Sequence, residues 1–195
     1  MGGTVTEYPK WFAGAEHNFF THLKNYKGQP DLKFLQIGVF TGDTSVWLLE
    51  NILTDLSSTL TDVDTWEGSP DEEVHAEMDF NDVYETYKKK VKFYTNVRSV
   101  RTTSAEFFKV QKPNTYDFVY IDGDHTAKGV YEDAEGAWAC LLPGGIIGFD
   151  DYKWGNSLEN QELAPRPGID QFMKEHVGEY TVLNMDYQVW IQRNV

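Results

Sequence analysis

Two acidic strand ends carry most of the chemistry available to this sequence. Tyr120-Ile121-Asp122-Gly123-Asp124-His125 and Phe149-Asp150-Asp151-Tyr152 each close a run of apolar residues. Each is therefore expected where a buried strand meets the mouth of a cleft. Three carboxylates gathered at such a mouth, Asp122, Asp150 and Asp151, repel one another unless a proton or cation joins them. All-oxygen donors of this kind select Mg²⁺, Mn²⁺ or Ca²⁺ over zinc. His125, three residues beyond Asp122, is placed to take up a proton, with Asp122 or Asp124 as the alternative base. Capping and solvent-facing roles are the plainer reading of the same residues, and stabilising a following helix start is that of Asp124.

Upstream, Phe34-Leu35-Gln36-Ile37-Gly38-Val39-Phe40-Thr41-Gly42-Asp43-Thr44-Ser45 turns a buried strand through glycines into a helix. Glycines let a ligand approach the backbone, and the helix start offers free N–H groups and partial positive charge to an anionic group such as a carboxylate. A plain strand-to-helix turn has the same pattern. The spacing is neither that of a phosphate loop nor Gly-x-Gly-x-x-Gly, so phosphate and dinucleotide binding are disfavoured. Leu60-Thr61-Asp62-Val63-Asp64 ends a second strand in an acid suited to ribose hydroxyls. Asp64 is preferred to Asp62, which lies within the strand. Ser104, after a third strand, either meets an adenine edge or simply caps a helix with Phe107 and Phe108 packing behind it.

These residues need a scaffold, and the hydrophobic periodicity supplies one. Trp11 to Tyr26 reads as a leading amphipathic helix before Gly28-Gln29-Pro30. Strands are predicted over 33–38, 59–64, 97–102, 116–122 and 145–150, with helices over 43–54, 81–92, 104–110, 127–141 and 168–176. Strict alternation of this sort implies an α/β, doubly wound parallel sheet. Tyr180 to Asn184 and Gln188 to Gln192 are β-rich and separated by three residues, which permits a hairpin and forbids a crossover helix, so the last strand runs antiparallel. Residues 1–30 form a helical segment expected to pack on a single domain over 31–195. Long loops follow two strand ends, and Trp66, His75, Tyr152 and Trp154 within them form an aromatic wall for an acceptor or pack onto the sheet. Trp47 and Trp138 lie in amphipathic helices and read as core.

Size and composition narrow the field. A chain of 195 residues, 41% hydrophobic and 15% aromatic, has ample material for a core. A formal charge of −14 disfavours nucleic acid and anionic membranes and points to a small acceptor, although acidity also serves solubility alone. The single cysteine, Cys140, excludes an internal disulfide and a thiolate-rich zinc site. No apolar stretch is long enough to span a bilayer and no secretory pattern opens the chain, so cytoplasm is the expected location. Met1 to Thr6 matches the short N-myristoylation pattern, which recurs by chance. A homodimer stays open.

Taken in order, Gly38 to Gly42, Asp64, Ser104-Ala105-Glu106, Tyr116 to Asp122, the turn Leu142-Pro143-Gly144-Gly145 and the final hairpin resemble the class I S-adenosylmethionine-dependent methyltransferases. The resemblance runs from about Leu32 to the C-terminus. It implies a Rossmann-like, mostly parallel seven-stranded sheet with helices on both faces. It also implies that the glycine turn holds the methionyl part of S-adenosyl-L-methionine, the second-strand acid the ribose, and the residues after the third strand the adenine. The cofactor set is then Gln36, Gly38, Phe40, Gly42, Thr44, Ser45, Asp64, Thr65, Trp66, Ser104 and Asp122. Gln36 departs from the family, which usually has an acid there; an amide still accepts a hydrogen bond. The aspartate pairing is similar to that of metal-dependent O-methyltransferases of the macrocin and, more distantly, catechol type. That likeness implies a divalent cation at Asp122, Asp150 and Asp151, with Asp122 and His125 catalytic and a small hydroxylated molecule, sugar or catechol-like, as acceptor. A metal-independent N- or C-methyltransferase and a non-catalytic cofactor-binding module are the competing readings.

Overall fold

The computed structural model describes residues 7–68 and 77–195. His75 and the Met1 to Thr6 pattern lie outside the described residues. A seven-stranded sheet forms the centre, in the order β3-β2-β1-β4-β5-β7-β6. The strands are β1 (Lys33–Ile37), β2 (Thr59–Asp64), β3 (Val97–Arg101), β4 (Tyr116–Ile121), β5 (Leu141–Phe149), β6 (Tyr180–Met185) and β7 (Val189–Arg193). The first five pair in parallel, and β7 inserts antiparallel between β5 and β6. The predicted Rossmann-like α/β sheet and its closing hairpin are therefore both present.

Each face of the sheet is covered by helices because alternate strand residues are apolar on both sides. Leu35, Val119, Ile121, Ile147 and Phe149 pack against α4 (Ser104–Phe108), α5 (Ala127–Cys140) and α6 (Pro165–Glu175) through Phe107, Val130, Ala134, Trp138, Ile169 and Phe172. On the opposite face Phe34, Phe118, Tyr120 and Trp190 meet α1 (Glu16–Leu23) and α2 (Asp43–Asn51) through Phe19, Leu23, Leu48 and Leu49. The helix α3 (Phe80–Val91) covers the β2 side with Val83, Tyr87 and Val91, over Val39 and Trp66.

The leading segment is not one helix. It is a 3₁₀ turn at Trp11–Gly14, then α1, then a second 3₁₀ turn at Lys24–Tyr26. Phe19 and Leu23 are fully buried, and Trp47 of α2 donates from Nε1 to Glu16 at 2.9 Å. The segment is thus held in place by apolar burial and by polar ties at Glu16 and Asn18. The turn expected at Leu142 to Gly145 is absorbed into β5, where the pairing shifts between Tyr116–Leu141 and Phe118–Ile146 and Gly144 takes φ +80°.

Candidate functional site

Parallel strands all point their carboxyl ends the same way, so β1, β2, β4 and β5 deliver their terminal residues to one crevice. A cavity of about 850 Å³ opens there. It is lined by Gly38 to Phe40 after β1, Asp64 to Trp66 after β2, Thr102 to Ser104 after β3, Asp122 to Thr126 after β4, and Asp150 and Asp151 after β5. Trp11, Asn18, Trp154, Tyr187 and Gln188 complete one end. The size suits a drug-sized ligand.

The floor is made by backbone contact. Gly38 has φ +80°, and a Cβ there would lie 1.8 Å from the Asp122 carbonyl oxygen, so no larger residue fits between the ends of β1 and β4. Asp64 organises the turn above. Its Oδ2 accepts the Val39 and Phe40 N–H groups at 2.7 and 3.0 Å, and its Oδ1 accepts Trp66 N–H at 2.6 Å. Three bonds leave part of the carboxylate's four acceptor sites facing the cavity, which Asp64 lines.

Several expected contacts lie behind this floor instead of on it. Gln36 is buried, donating from Nε2 to Gly38 O at 2.9 Å while its Oε1 accepts from Ser45 Oγ at 3.3 Å. Thr44 and Ser45 are buried in the first turn of α2. Gly42 takes φ +81° with Tyr87 packed against it. None of these four lines the cavity. They shape the turn from beneath, with Gln36 and Ser45 bonded to each other and Tyr87 of α3 against Gly42. Asp62 joins this layer: Tyr87 donates to it at 2.9 Å, and burial raises its carboxyl to about 7.

The acidic cluster also differs from the expected trio. Ligand atoms of Asp122, His125 and Asp151 all lie within 4.8 Å of one another. His125 Nε2 is 3.2 Å from Asp151 Oδ2 and 3.9 Å from Asp122 Oδ1. Asp150 is drawn out of this group by its neighbours. Tyr120 OH donates to its Oδ2, while Asp151 N–H at 2.8 Å and Gln188 Nε2 at 3.2 Å donate to its Oδ1. Asn18 donates to Gln188 Oε1 at 2.8 Å, so α1 braces this network from across the cleft. Loss of water and the Asp150 charge push the Asp122 carboxyl well above its usual range, and the nearby His125 opposes them. Asp151 adopts φ +57°, in the left-handed region that few non-glycine residues enter, and its Oδ2 faces His125.

The expected aromatic wall is only partly formed. Trp66 is 1% exposed, stacked among Tyr84 and Tyr87, and donates from Nε1 to Phe40 O at 2.9 Å. Tyr152 is buried and donates to Asp170 at 2.7 Å. Trp154 remains at the cavity, 5.0 Å from the His125 ring, and Trp11 packs on Phe40 at 4.7 Å. Trp11, Tyr120 and Gln188 were not singled out as site residues by sequence. Tyr120 carried a signal, since it is the polar-tipped side chain nearest the Asp122 end of β4.

The comparisons agree with this architecture. A family profile described as a methyltransferase domain matches residues 35–152, more than half of the chain. The chain belongs to this methyltransferase family, and its fold is that of the class I S-adenosylmethionine-dependent methyltransferases. Similar solved structures include the cofactor-bound Rv0187 from MTB, at 18% identity and TM-score 0.69, covering 96% of this chain and 84% of that one. The O-methyltransferase from Bacillus cereus in complex with SAH matches at 17% identity and TM-score 0.60, covering 92% and 88%. The N-methyltransferase NodS from Bradyrhizobium japonicum matches at 12% identity and TM-score 0.58, covering 92% and 97%. Among curated proteins no sequence match was found.

Proposed function

We propose that this methyltransferase transfers a methyl group to an oxygen of a small hydroxylated acceptor, with a divalent cation held at Asp122 and Asp151. The observation that carries the proposal is the convergence of Asp122, His125 and Asp151 within 4.8 Å at the cavity wall. Repelling carboxylates beside an imidazole fit a divalent ion by donor type and by the charge it would neutralise. Asp64 and the Gly38 to Phe40 turn would seat S-adenosylmethionine, which supplies an electrophilic methyl on its sulfonium. The bound ion would lower the pKa of an acceptor hydroxyl.

The chain's own residues do the rest. His125 Nε2 holds Asp151 Oδ2 at 3.2 Å and steadies that carboxylate, while the acceptor's proton passes to Asp122 at the end of β4. The Tyr120–Gln188–Asn18 network fixes Asp150 and with it the backbone that aims Asp151. Trp154 beside His125 and Trp11 over Phe40 shield the acceptor end from water.

The test is methyl transfer from labelled S-adenosylmethionine to a panel of catechols and sugars, with added Mg²⁺ or Mn²⁺ and after exhaustive chelation. Turnover that needs the ion supports the proposal. Turnover of a hydroxyl acceptor indifferent to chelation removes the cation from it. A second reading is favoured by the His125–Asp151 contact itself, which pairs an imidazole with a carboxylate without any ion. It predicts ion-independent turnover, on nitrogen or carbon acceptors as well as oxygen.

A further inference from the structure

We propose that Asn18 of α1 is a specificity-determining residue for the methyl acceptor: its side-chain oxygen accepts a hydrogen bond from a second hydroxyl or amino group of that molecule, apart from the oxygen that is methylated. This rests on the methyl-transfer reading above and narrows its acceptor to molecules that carry such a second donor.

Which end of the Asn18 amide is left for a ligand follows from its neighbours. The Trp190 indole N–H can only donate, and it lies 3.1 Å from one end of the Gln188 amide, so that end is the oxygen. The nitrogen end then donates to Tyr120 OH at 2.9 Å and to Asp150 Oδ1 at 3.2 Å. Gln188 is 2% exposed, so its orientation is set inside the protein. Asn18 meets the same Gln188 oxygen at 2.8 Å and must do so with its Nδ2. Its Oδ1 accepts from no described residue, and Asn18 lines the cavity.

The segment around it leaves room for a molecule. Trp11, Gly14, Ala15 and Asn18 follow helical spacing through the first 3₁₀ turn into α1, and all four line the cavity. A Cβ at Gly14 would meet nothing within 4 Å, so the wall between the Trp11 indole and the Asn18 amide is low. At the same end Tyr187 OH donates to Asp151 at 2.8 Å, and the Gln188 amide has both its hydrogens and its oxygen engaged. The Asn18 oxygen is therefore the side-chain carbonyl there with its acceptor capacity unused, and a neutral carbonyl selects O–H or N–H donors. Only the Gln188 amide separates Asn18 from Asp150, so a ring with its reacting oxygen at the acidic cluster can reach Asn18 with a further substituent.

The experiment uses two pairs of acceptors that differ in one donor: 4-(2-hydroxyethyl)catechol against 4-ethylcatechol, and methyl glucoside against its 6-deoxy analogue. kcat and KM with S-adenosylmethionine and Mg²⁺ are compared for the wild type, Asn18→Ala and Gly14→Leu, and S-adenosylhomocysteine affinity is measured by calorimetry. In the pair it methylates, the wild type should favour the donor-bearing member by roughly 3- to 10-fold, chiefly through KM. Asn18→Ala, in which Trp190 still holds the Gln188 oxygen, should bring that preference within about twofold. Gly14→Leu should raise KM for both members by more than about fivefold, by filling the space beside Asn18. Both variants should bind S-adenosylhomocysteine within about twofold of the wild type. No preference in the wild type, or one that survives Asn18→Ala, overturns the assignment; the first arm needs no folded variant. Weakened S-adenosylhomocysteine binding in both variants would assign the segment to the cofactor and overturn it too. A wild type that binds S-adenosylhomocysteine but methylates neither pair overturns the hydroxyl-acceptor reading, and this inference with it.

Discussion

The carboxylate of Asp64 accepts the Val39 N–H at 2.7 Å, joining the end of β2 to the turn that follows β1. The same group also accepts from Phe40 and Trp66, so one side chain fixes two segments of the crevice at once. An acid expected to hold a ligand is therefore also the clasp of the surface on which that ligand would rest. Asp64→Ala leaves three amides without their acceptor. It should lower stability by about 1–3 kcal/mol in urea unfolding and weaken S-adenosylhomocysteine binding in calorimetry. Unchanged stability would show that the turn holds itself.

Gly38 and Gly178 form a controlled pair. Both have positive φ, but a Cβ at Gly38 would lie 1.8 Å from the Asp122 carbonyl, whereas at Gly178 it would meet nothing within 4 Å. Gly178→Ala should cost about 1 kcal/mol from backbone strain alone. Gly38→Ala should cost more than about 3 kcal/mol, because the ends of β1 and β4 must separate. Thermal melts of the two variants check this, and equal losses would contradict the packing described for β1 and β4.

Asp62 gives a pH dependence whose direction follows from its burial. Its carboxyl is raised from 3.8 to about 7, chiefly by desolvation. Between those values the native state keeps a proton that the unfolded chain has released, so stability falls as pH rises and the loss is complete above about 7. Asp62→Asn should remove that contribution, gaining roughly 2–4 kcal/mol over wild type at pH 8 and much less at pH 4. Urea unfolding at both pH values measures it. A gain independent of pH would mean that Asp62 is not the titrating group.

The acidic cluster predicts an order among variants. Asp151→Asn should weaken Mn²⁺ binding, followed by its paramagnetic signal, by more than about tenfold. Asp150→Asn should weaken it less, because Tyr120 and Gln188 already occupy that carboxylate. The reverse order would show that Asp150 holds the ion in preference to Asp151.

Much of this was legible in the sequence. The β/α alternation, the three-residue gap before Gln188 and the acids closing β2, β4 and β5 depend on local periodicity, and the structure keeps them within a few residues. What local periodicity leaves open has one cause. Whether Gln36, Thr44 and Ser45 face a ligand or the layer beneath depends on how the corner after β1 rolls against α3, which is a contact between segments some 40 residues apart. The bonding of Asp150 likewise depends on Gln188, brought alongside by the hairpin.

A crystal structure with S-adenosylhomocysteine and Mn²⁺ tests the central claim most directly. The homocysteine sulfur should lie over Gly38 to Phe40, with an anomalous peak about 2.0–2.6 Å from carboxylate oxygens of Asp122 and Asp151. The nucleoside bound elsewhere, or Mn²⁺ absent from those aspartates at saturating concentration, would contradict it.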